Sequence, residues 1–417
     1  MVGMDIKMAW RNIWRNPRRT LLTITAIAFA CVLLIFMLSF QFGSYETMIN
    51  ASVKIHTGHL QIQGRGYHAD QEIRQVIADP QPVQQALAAI AEVQAHAPRA
   101  RAFVLVSSRE RTYGVMAEGV DPAAEARVST LRSIVRQGDY LDRRPSENGL
   151  PGALVGHLLA RNLKVSIGDE LTILGQGRDG SIAATVLRVQ GITSSGMDEF
   201  DRNALQMPLD AFQDAFAMDG AVHEIVVVGR RLADAPAIRA AMETALARMD
   251  SPQPLDVLDW ERLMPGLKQA ISMDLVSGAI FYLVLIMVVA FSILNTFLMA
   301  ILERTYEFGV MMAIGTQPGR LTRLVLAESA GMTLVGVTVG MLAGCLVTWY
   351  FMIHGIHLGG AAEISRQFGI PDTLYPRLTL ISITAGPLAV LIITLLAALY
   401  PALRIRRLRP VEAMRER

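Results

Sequence analysis

The segment LVSGAIFYLVLIMVVAFSILNTFLMAIL, residues 275–302, holds 28 consecutive positions without a charged side chain. A helix needs about 20 apolar residues, rising about 1.5 Å each, to cross a bilayer. Buried helices of soluble proteins rarely stay uncharged for so long. The segment therefore predicts a membrane-spanning helix. Charges return at once in the next stretch, ERTYEFGVMMAIGTQPGR, residues 303–320.

Similar uncharged runs recur along the chain, which has 417 residues, 52% of them hydrophobic and 18% charged. They place four membrane helices at residues 20–45, 274–302, 318–353 and 378–403. The first run is too long for the apolar part of a secretory signal peptide, which is about 7–15 residues. We therefore interpret it as a membrane span as well.

Residues 46–273 form the one large region outside these spans. Alternating apolar and polar positions predict strands at residues 59–63 and 184–189, and residues 101–106 predict a more buried strand. Helical patterns cover residues 82–91, 154–163, 235–248 and 256–270, the last leading into the second span. The mixed order predicts an α+β domain inserted between the first two spans, with a size that allows two subdomains.

Basic residues near the spans are concentrated on one side, and the predicted external loop at residues 354–377 has only two. The sets are Lys7, Arg11, Arg15, Arg18 and Arg19; Arg304, Arg320 and Arg323; and Arg404, Arg406, Arg407 and Arg409. The positive-inside rule assigns that side to the cytoplasm. It predicts cytoplasmic N- and C-termini, a basic cytoplasmic tail at residues 404–417, and an external loop at residues 354–377.

The N-terminal residues 1–19 predict an amphipathic helix on the cytoplasmic membrane surface. Trp10 and Trp14 suit the interface, and Arg11 and Arg15 suit anionic headgroups. Asn16 can cap the next helix, with Pro17 in its first turn. Membrane lipid is therefore an expected partner, with the plain role of anchoring the first span left open.

The third span carries Gly336, Gly340 and Gly344 at four-residue spacing. Small residues on one face of a membrane helix allow a second helix to approach closely. The row therefore predicts tight helix packing. The sequence leaves open whether the partner helix lies in the same chain or in another copy.

Motifs for chemistry are absent from the sequence. It has no G-x-x-x-x-G-K-[ST] P-loop, no H-E-x-x-H and no G-x-S-x-G. Cys31 and Cys345 are too few for a zinc site, and the net charge of +2 does not favour nucleic acid. We expect no catalytic residue, metal or cofactor on this chain, and no nucleic-acid partner.

Residues 303–317 predict a short cytoplasmic helix between the second and third spans. Glu303 and Glu307 share a charged face, whereas Phe308, Met311 and Met312 offer an apolar face. Gly315 suits the position just after the helix, before Pro318 opens the next one. Such a helix fits a groove of a soluble partner. The alternative is a plain connector between two spans.

At this point the chain resembles a family. ERTYEFGVMMAIGTQPGRLTRLVLAES resembles the E-R-x-x-E-[IF]-G…A-x-G coupling segment of FtsX-like permeases of ABC transporters. The W-R-N-x-x-R-x-P-x-R-T start and the P-A-x-R…R-P-V-E-A-x-R tail at residues 401–415 agree. The resemblance is strongest to the lipoprotein-releasing LolC/LolE group, followed by MacB-type exporters.

The resemblance implies a bacterial inner-membrane permease with a periplasmic inserted domain. It implies a dimer of separate cytoplasmic ABC ATPases that hold ATP and Mg²⁺, a second permease copy or paralogue, and a periplasmic carrier or adaptor. ATP-driven movement of the coupling helix would shift the periplasmic domain, a process called mechanotransmission. The residues expected to couple to the ATPase are Glu303, Arg304, Glu307, Phe308, Gly309 and Gly315.

The function that this resemblance implies is release or transfer of lipoprotein, or of another lipid-like substrate, at the periplasmic face. Tripartite drug or peptide efflux and signalling to a cell-wall hydrolase stay open as alternatives. Lipoprotein-releasing relatives recruit a carrier with a long external hairpin. The matching place here, residues 173–183, has only a short turn between two strands.

Overall fold

The computed structural model describes residues 2–142, 149–249, 253–357 and 373–404. The chain divides into two compact units. We call residues 46–270 the inserted domain, and the described residues at 2–45, 271–357 and 373–404 the membrane unit. Most of the predicted loop at 354–377 and the predicted tail beyond Arg404, with its family motif, lie outside the described residues.

The membrane unit is built from helices, numbered here along the whole chain. They are α1 (Val2–Ile13), α2 (Pro17–Ser52), α11 (Pro265–Glu303), α12 (Thr305–Ala313), α13 (Pro318–His354) and α14 (Leu380–Arg404). Among the described residues, α2, α11, α13 and α14 are the helices long and apolar enough to cross a membrane. Two short strands, β11 (Ile356–His357) and β12 (Thr373–Leu374), pair after α13.

Helix α13 crosses α2 at very short range because of its glycines. A Cβ atom on Gly340 would lie 2.6 Å from Cys31 Cβ and 2.7 Å from the Ala28 carbonyl oxygen. A Cβ atom on Gly336 would lie 2.8 Å from Ile27 Cβ, and one on Gly344 would lie 3.0 Å from Ile35 Cδ1. The glycine row thus packs against the first span of the same chain. The sequence had left open whether the partner helix belongs to this chain or to another copy.

The inserted domain contains one connected sheet of ten strands. The strands are β1 (Leu60–Gly64), β2 (Val93–Ser107), β3 (Thr112–Val120), β4 (Val135–Gly138), β5 (Gly152–Gly156), β6 (Glu170–Gln176), β7 (Ile182–Thr193), β8 (Leu205–Pro208), β9 (Glu224–Gly229) and β10 (Leu255–Asp259). Their order is β10-β1-β9-β2-β3-β8-β5-β7-β4, with β6 paired to β2 and β7. The pairs β3–β8 and β5–β7 are parallel.

Helices cover this sheet and enclose two main apolar cores. They are α3 (Tyr67–Asp70), α4 (Gln81–Ala88), α5 (Pro122–Val128), α6 (His157–Leu163), α7 (Asp198–Asn203), α8 (Leu209–Ala215), α9 (Ala235–Leu246) and α10 (Trp260–Leu263). One core surrounds Phe212 and Leu171, and the other surrounds Leu87 and Ile238. The predicted α+β class, inserted between the first two spans, is confirmed.

Two predicted helices form over most of their lengths, but each begins later than predicted because a strand occupies its start. Residues 256–259 of the predicted helix at 256–270 belong instead to β10, which pairs antiparallel with β1 along its whole length. Residues 152–156, overlapping another expected helix, form β5 between β7 and β8. Both strands depend on partners distant in sequence, so local periodicity could not detect them. Strand β1, which follows α2, is therefore the direct neighbour of β10, which precedes α10 and α11.

Candidate functional site

Charged and polar side chains from five helices, and from the links between them, meet where α12 joins α11 to α13. We call the set Asn12, Arg15, Arg19, Glu303, Arg304, Glu307 and Glu328 the charged junction. Its centre is Glu328 on α13, whose carboxylate accepts hydrogen bonds from Asn12 Nδ2 at 2.6 Å and Arg304 Nη1 at 2.8 Å. The Arg304 and Glu328 side chains are largely buried. A buried carboxylate is stable when it is paired and hydrogen-bonded, as here.

Glu307 connects α12 to the N-terminal segment. Arg15 Nη2 lies 2.5 and 2.7 Å from its two carboxylate oxygens, and Arg304 Nε lies 3.3 Å from Oε2. The hydrogen bond from Arg15 holds the pKa of the Glu307 carboxyl below its ordinary value. Both partners are about half exposed, so water weakens the pair and its main effect is to orient the helix.

A second exposed pair lies beside the first. Arg19 Nη1 donates to Glu303 Oε2 at 3.1 Å, joining the start of α2 to the end of α11. Sequence analysis had assigned Arg15 to lipid headgroups and Glu303 to an ATPase. In the structure both residues also make contacts within this chain, which tie the link between α1 and α2, and α2 itself, to the α11–α12 turn.

Phe308 faces inward rather than outward. Its side chain is 0% exposed, in a cluster with Met312 on α12 and Leu321 and Val325 on α13. Arg304 lies over its ring, with Cζ 5.4 Å from the centroid. The apolar face that the sequence analysis offered to a partner, containing Phe308 and Met312, is therefore the inner face of α12. Its role is to hold the helix on the bundle.

The outer face of α12 carries different apolar residues, which the sequence analysis missed. Tyr306 is 54% exposed and Ile314, just after the helix, is 80% exposed, with Val310 half-buried between them. The four-residue spacing puts all three on one side. Helix α12 has nine residues and carries apolar side chains on both sides. The periodicity of its sequence therefore cannot show which side faces inward.

The two glycines of this segment have distinct environments. Gly309 is buried in the inner face of α12, where it allows close packing. Gly315 has φ of +100°, a left-handed conformation that favours glycine, and its amide donates to the Met312 carbonyl oxygen at 3.0 Å. It thereby ends α12 and turns the chain toward α13.

Side chains of the N-terminal segment divide between two environments. Trp10, Arg11 and Trp14 are exposed, and the two indole rings meet edge to face with centroids 6.2 Å apart. Ile13 instead packs into the bundle core, close to Gly331 of α13. One side of α1 therefore rests on α13, while Trp10 and Trp14 stay exposed.

The charged junction connects α1 to α13, the link between α1 and α2 to α12, and α2 to α11 through side-chain hydrogen bonds. Within the described ranges, no group of three or more His, Cys, Asp or Glu side chains could hold a metal ion.

Comparison with known proteins agrees with this architecture. Residues 279–410 match the FtsX-like permease C-terminal model. Residues 20–245, more than half of the chain, match the MacB-like periplasmic core domain model. The two matches together cover most of the inserted domain and all or part of each of the four long apolar helices, and residues 246–278 lie between them.

Several characterised proteins are distant relatives. The lipoprotein-releasing system transmembrane protein LolC of Xylella fastidiosa is 24% identical over 320 residues, covering 73% of this chain and 74% of that protein. The macrolide export ATP-binding/permease protein MacB of Rhodospirillum rubrum is 25% identical over 418 residues, covering 99% of this chain but only 60% of that protein. The periplasmic region of MacB from Actinobacillus actinomycetemcomitans aligns with 13% identity and a TM-score of 0.36, covering 52% of this chain and 94% of that region.

Four apolar helices, an inserted mixed domain and these matches define the class of the chain: it is a multi-pass ABC transporter permease of the LolC, LolE and MacB type. It belongs to the family of FtsX-like permeases with a MacB-like periplasmic core domain.

Proposed function

We propose that this permease couples ATP binding and hydrolysis by a separate cytoplasmic ABC ATPase dimer to the release or transfer of lipoprotein, or of another lipid-like substrate, at the periplasmic face of a bacterial inner membrane. ATP and Mg²⁺ belong to the ATPase. The working complex contains a second permease, either a copy or a paralogue. A periplasmic carrier or adaptor receives the substrate.

The observation that carries this proposal is the construction of the charged junction. Arg304 and Glu307 on the α11–α12 segment bond to Glu328 of α13 and to Arg15 before α2. A push on α12 therefore reaches two membrane helices through short directed bonds, without a polar pathway across the membrane. This arrangement supports mechanotransmission with the N- and C-termini in the cytoplasm.

The docking face for the ATPase in this proposal is Tyr306, Val310 and Ile314. These residues lie on the open side of α12, whereas Phe308 holds the other side to the bundle. An exposed apolar stripe at helical spacing fits a groove of a soluble partner. Phe308, Gly309 and Gly315 then position the helix instead of touching the partner.

The hairpin between β6 and β7 argues against one route for carrier recruitment. Its turn lies on the inserted domain, where the Arg178 amide donates to the Phe216 carbonyl oxygen at 2.9 Å and Arg178 Nη1 donates to the Met218 carbonyl oxygen at 3.1 Å. No long arm extends from this turn. In this proposal the carrier or adaptor docks on another surface of the domain.

The proposal is tested by placing a carboxylate on the docking face. Ile314→Asp should prevent co-purification of the partner ABC ATPase and abolish ATP-driven release of a labelled lipoprotein from proteoliposomes. The matched control is Ile182→Asp, the same change at an equally exposed isoleucine of the inserted domain, 84% against 80% exposed. Normal ATPase binding and release by Ile314→Asp would contradict the proposal.

A further inference from the structure

The helix that forms the first span changes character at its far end. After Ser52, the continuous α2 passes into a π-helical turn, Val53–Thr57, and the Gly58 amide closes it by donating to the Val53 carbonyl oxygen at 2.7 Å. π-Helical turns are rare and occur frequently at functional sites. This one lies inside the inserted domain and leads directly into β1.

A buried arginine of β2 forms a hydrogen bond to this turn. Arg99 Nη1 donates to the His56 carbonyl oxygen at 2.5 Å and lies 3.3 Å from His56 Nδ1. The same guanidinium donates from Nε and Nη2 to the two carboxylate oxygens of Glu125, at 2.9 and 2.7 Å. One side chain thus joins the end of α2, the central strand β2 and helix α5.

The charged side chains around Arg99 are fully buried. Arg99, Glu125 and Glu224 side chains are 0% exposed, and Arg99 Nη1 lies 3.6 Å from Glu224 Oε1 on the neighbouring strand β9. Burial alone would lower the pKa of Arg99, but the surrounding carboxylates, Glu125 first, raise it above its ordinary value. Buried ion pairs of this kind often add little stability compared with apolar packing, so stability alone does not account for the arginine.

Other contacts hold the same turn against the domain. The Thr130 amide donates to the Lys54 carbonyl oxygen at 2.9 Å, and His56 Nε2 lies 3.1 Å from Glu118 Oε1 on β3. The next strand, β1, pairs with β10, which leads through α10 into α11. In the sheet, β1 lies between β10 and β9, the strand that carries Glu224.

We infer that Arg99 is a positioning residue that fixes the π-helical end of α2 to the sheet, so that movement of α2 reaches the inserted domain as a rigid displacement. This role rests on the proposed function, because it concerns how the movement that begins at α12 is passed from α2 to the inserted domain. Arginine suits it because its planar fork satisfies Glu125 with two bonds and still reaches the His56 carbonyl oxygen. Lysine keeps the charge but cannot form this set of bonds.

The first part of the test needs no ATPase. Hydrogen–deuterium exchange of the full permease in nanodiscs compares the wild type with Arg99→Lys. Amides of residues 53–58 should exchange about tenfold faster or more in the variant, because the turn opens locally without unfolding the sheet. The control is Arg239→Lys, which alters an arginine bonded to Glu243 and Asp259 in the same domain, and it should leave residues 53–58 unchanged. Equal exchange rates at residues 53–58 in Arg99→Lys and in the wild type would overturn the inference that Arg99 fixes this turn.

The second part separates positioning from mere stability. The permease is studied with its co-purified ATPase, with and without a non-hydrolysable ATP analogue. In the wild type the analogue should change exchange in β2 and β9, and Arg99→Lys should lose that change while still binding the ATPase. A full nucleotide response in Arg99→Lys overturns the positioning role alone. No response in the wild type overturns the proposed function together with this role, even where the first part succeeds.

Discussion

Arg15 and Glu307 lie 292 positions apart in the sequence, yet Arg15 Nη2 is 2.5 and 2.7 Å from the two carboxylate oxygens of Glu307. This pair ties the segment before the first span to the short helix between the second and third. Because Glu307 also lies beside Arg304, its charge helps to align α12 with Glu328 at the centre of the charged junction.

Reversing one charge of this pair should uncouple the permease. In Glu307→Lys, three cationic groups face one another, so α12 loses its alignment while the four spans still insert. We expect the ATPase to hydrolyse ATP in proteoliposomes with little release of lipoprotein. Adding Arg15→Glu to the same chain should restore part of the release, with Arg304 limiting the recovery. A double variant no better than Glu307→Lys would show that this pair does not orient the helix.

A larger side chain in the glycine row should disturb packing within one chain. Gly340→Leu places atoms where α2 already lies, and overpacking of this kind typically costs about 1–3 kcal/mol. Thermal unfolding of the purified permease in detergent should shift to lower temperature. Val339→Leu, on the exposed side of α13, is the control and should leave the midpoint unchanged. Equal midpoints for both variants and the wild type would mean that α2 and α13 do not cross closely.

Stability of the inserted domain should depend on the protonation of His223. Burial lowers the pKa of His223 from 6.5 to about 4, while its Nδ1 accepts a hydrogen bond from the Arg101 amide at 2.9 Å. The unfolded chain therefore binds this proton first as the pH falls. The contribution of neutral His223 to the free energy of unfolding is complete above pH 6.5. As the pH falls from 6.5 to about 4 this contribution is lost, to a total of roughly 3 kcal/mol.

The measurement is urea unfolding of the full permease, followed by proteolysis of the inserted domain at several pH values. His223→Gln preserves an acceptor for Arg101 and a donor for the Ile73 carbonyl oxygen but cannot titrate. Its stability should fall less steeply than that of the wild type between pH 6.5 and 4. An unchanged slope would show that another group is responsible.

The orientation of the chain can be tested with single cysteines. In a background without Cys31 and Cys345, cysteines replace the exposed Glu110 in the inserted domain and Gln317 after α12. The distribution of basic residues predicts that a membrane-impermeant maleimide labels position 110 from outside and position 317 only in inverted vesicles. Labelling of both from the same side would refute the four-span arrangement.

The sequence was sufficient for features that depend on long, one-dimensional patterns. Uncharged runs predicted the spans, and strand alternation at residues 59–63 predicted β1. The glycine row predicted close packing but not its partner, because spacing carries no information about which helix approaches.

Features that depend on contacts between distant residues escaped the sequence analysis. Phe308 and Tyr306 are both aromatic residues of α12, and only the position of α13 makes one internal and the other exposed. Arg99 was not singled out because a charged residue is ordinarily a surface residue, and its partners Glu125 and His56 are 26 and 43 positions away. Strand β10 exists only because β1 pairs with it.

The central claim is that α12 receives movement from an ATPase through its outer face. The most direct measurement places a photo-crosslinking amino acid at Ile314 of the permease, expressed with its ATPase in intact membranes. We predict an ATP-sensitive adduct with the ATPase at this position and at Tyr306, and none from the same amino acid at Ile182. Adducts with lipid alone at both α12 positions, in a complex that still hydrolyses ATP and releases substrate, would contradict the claim.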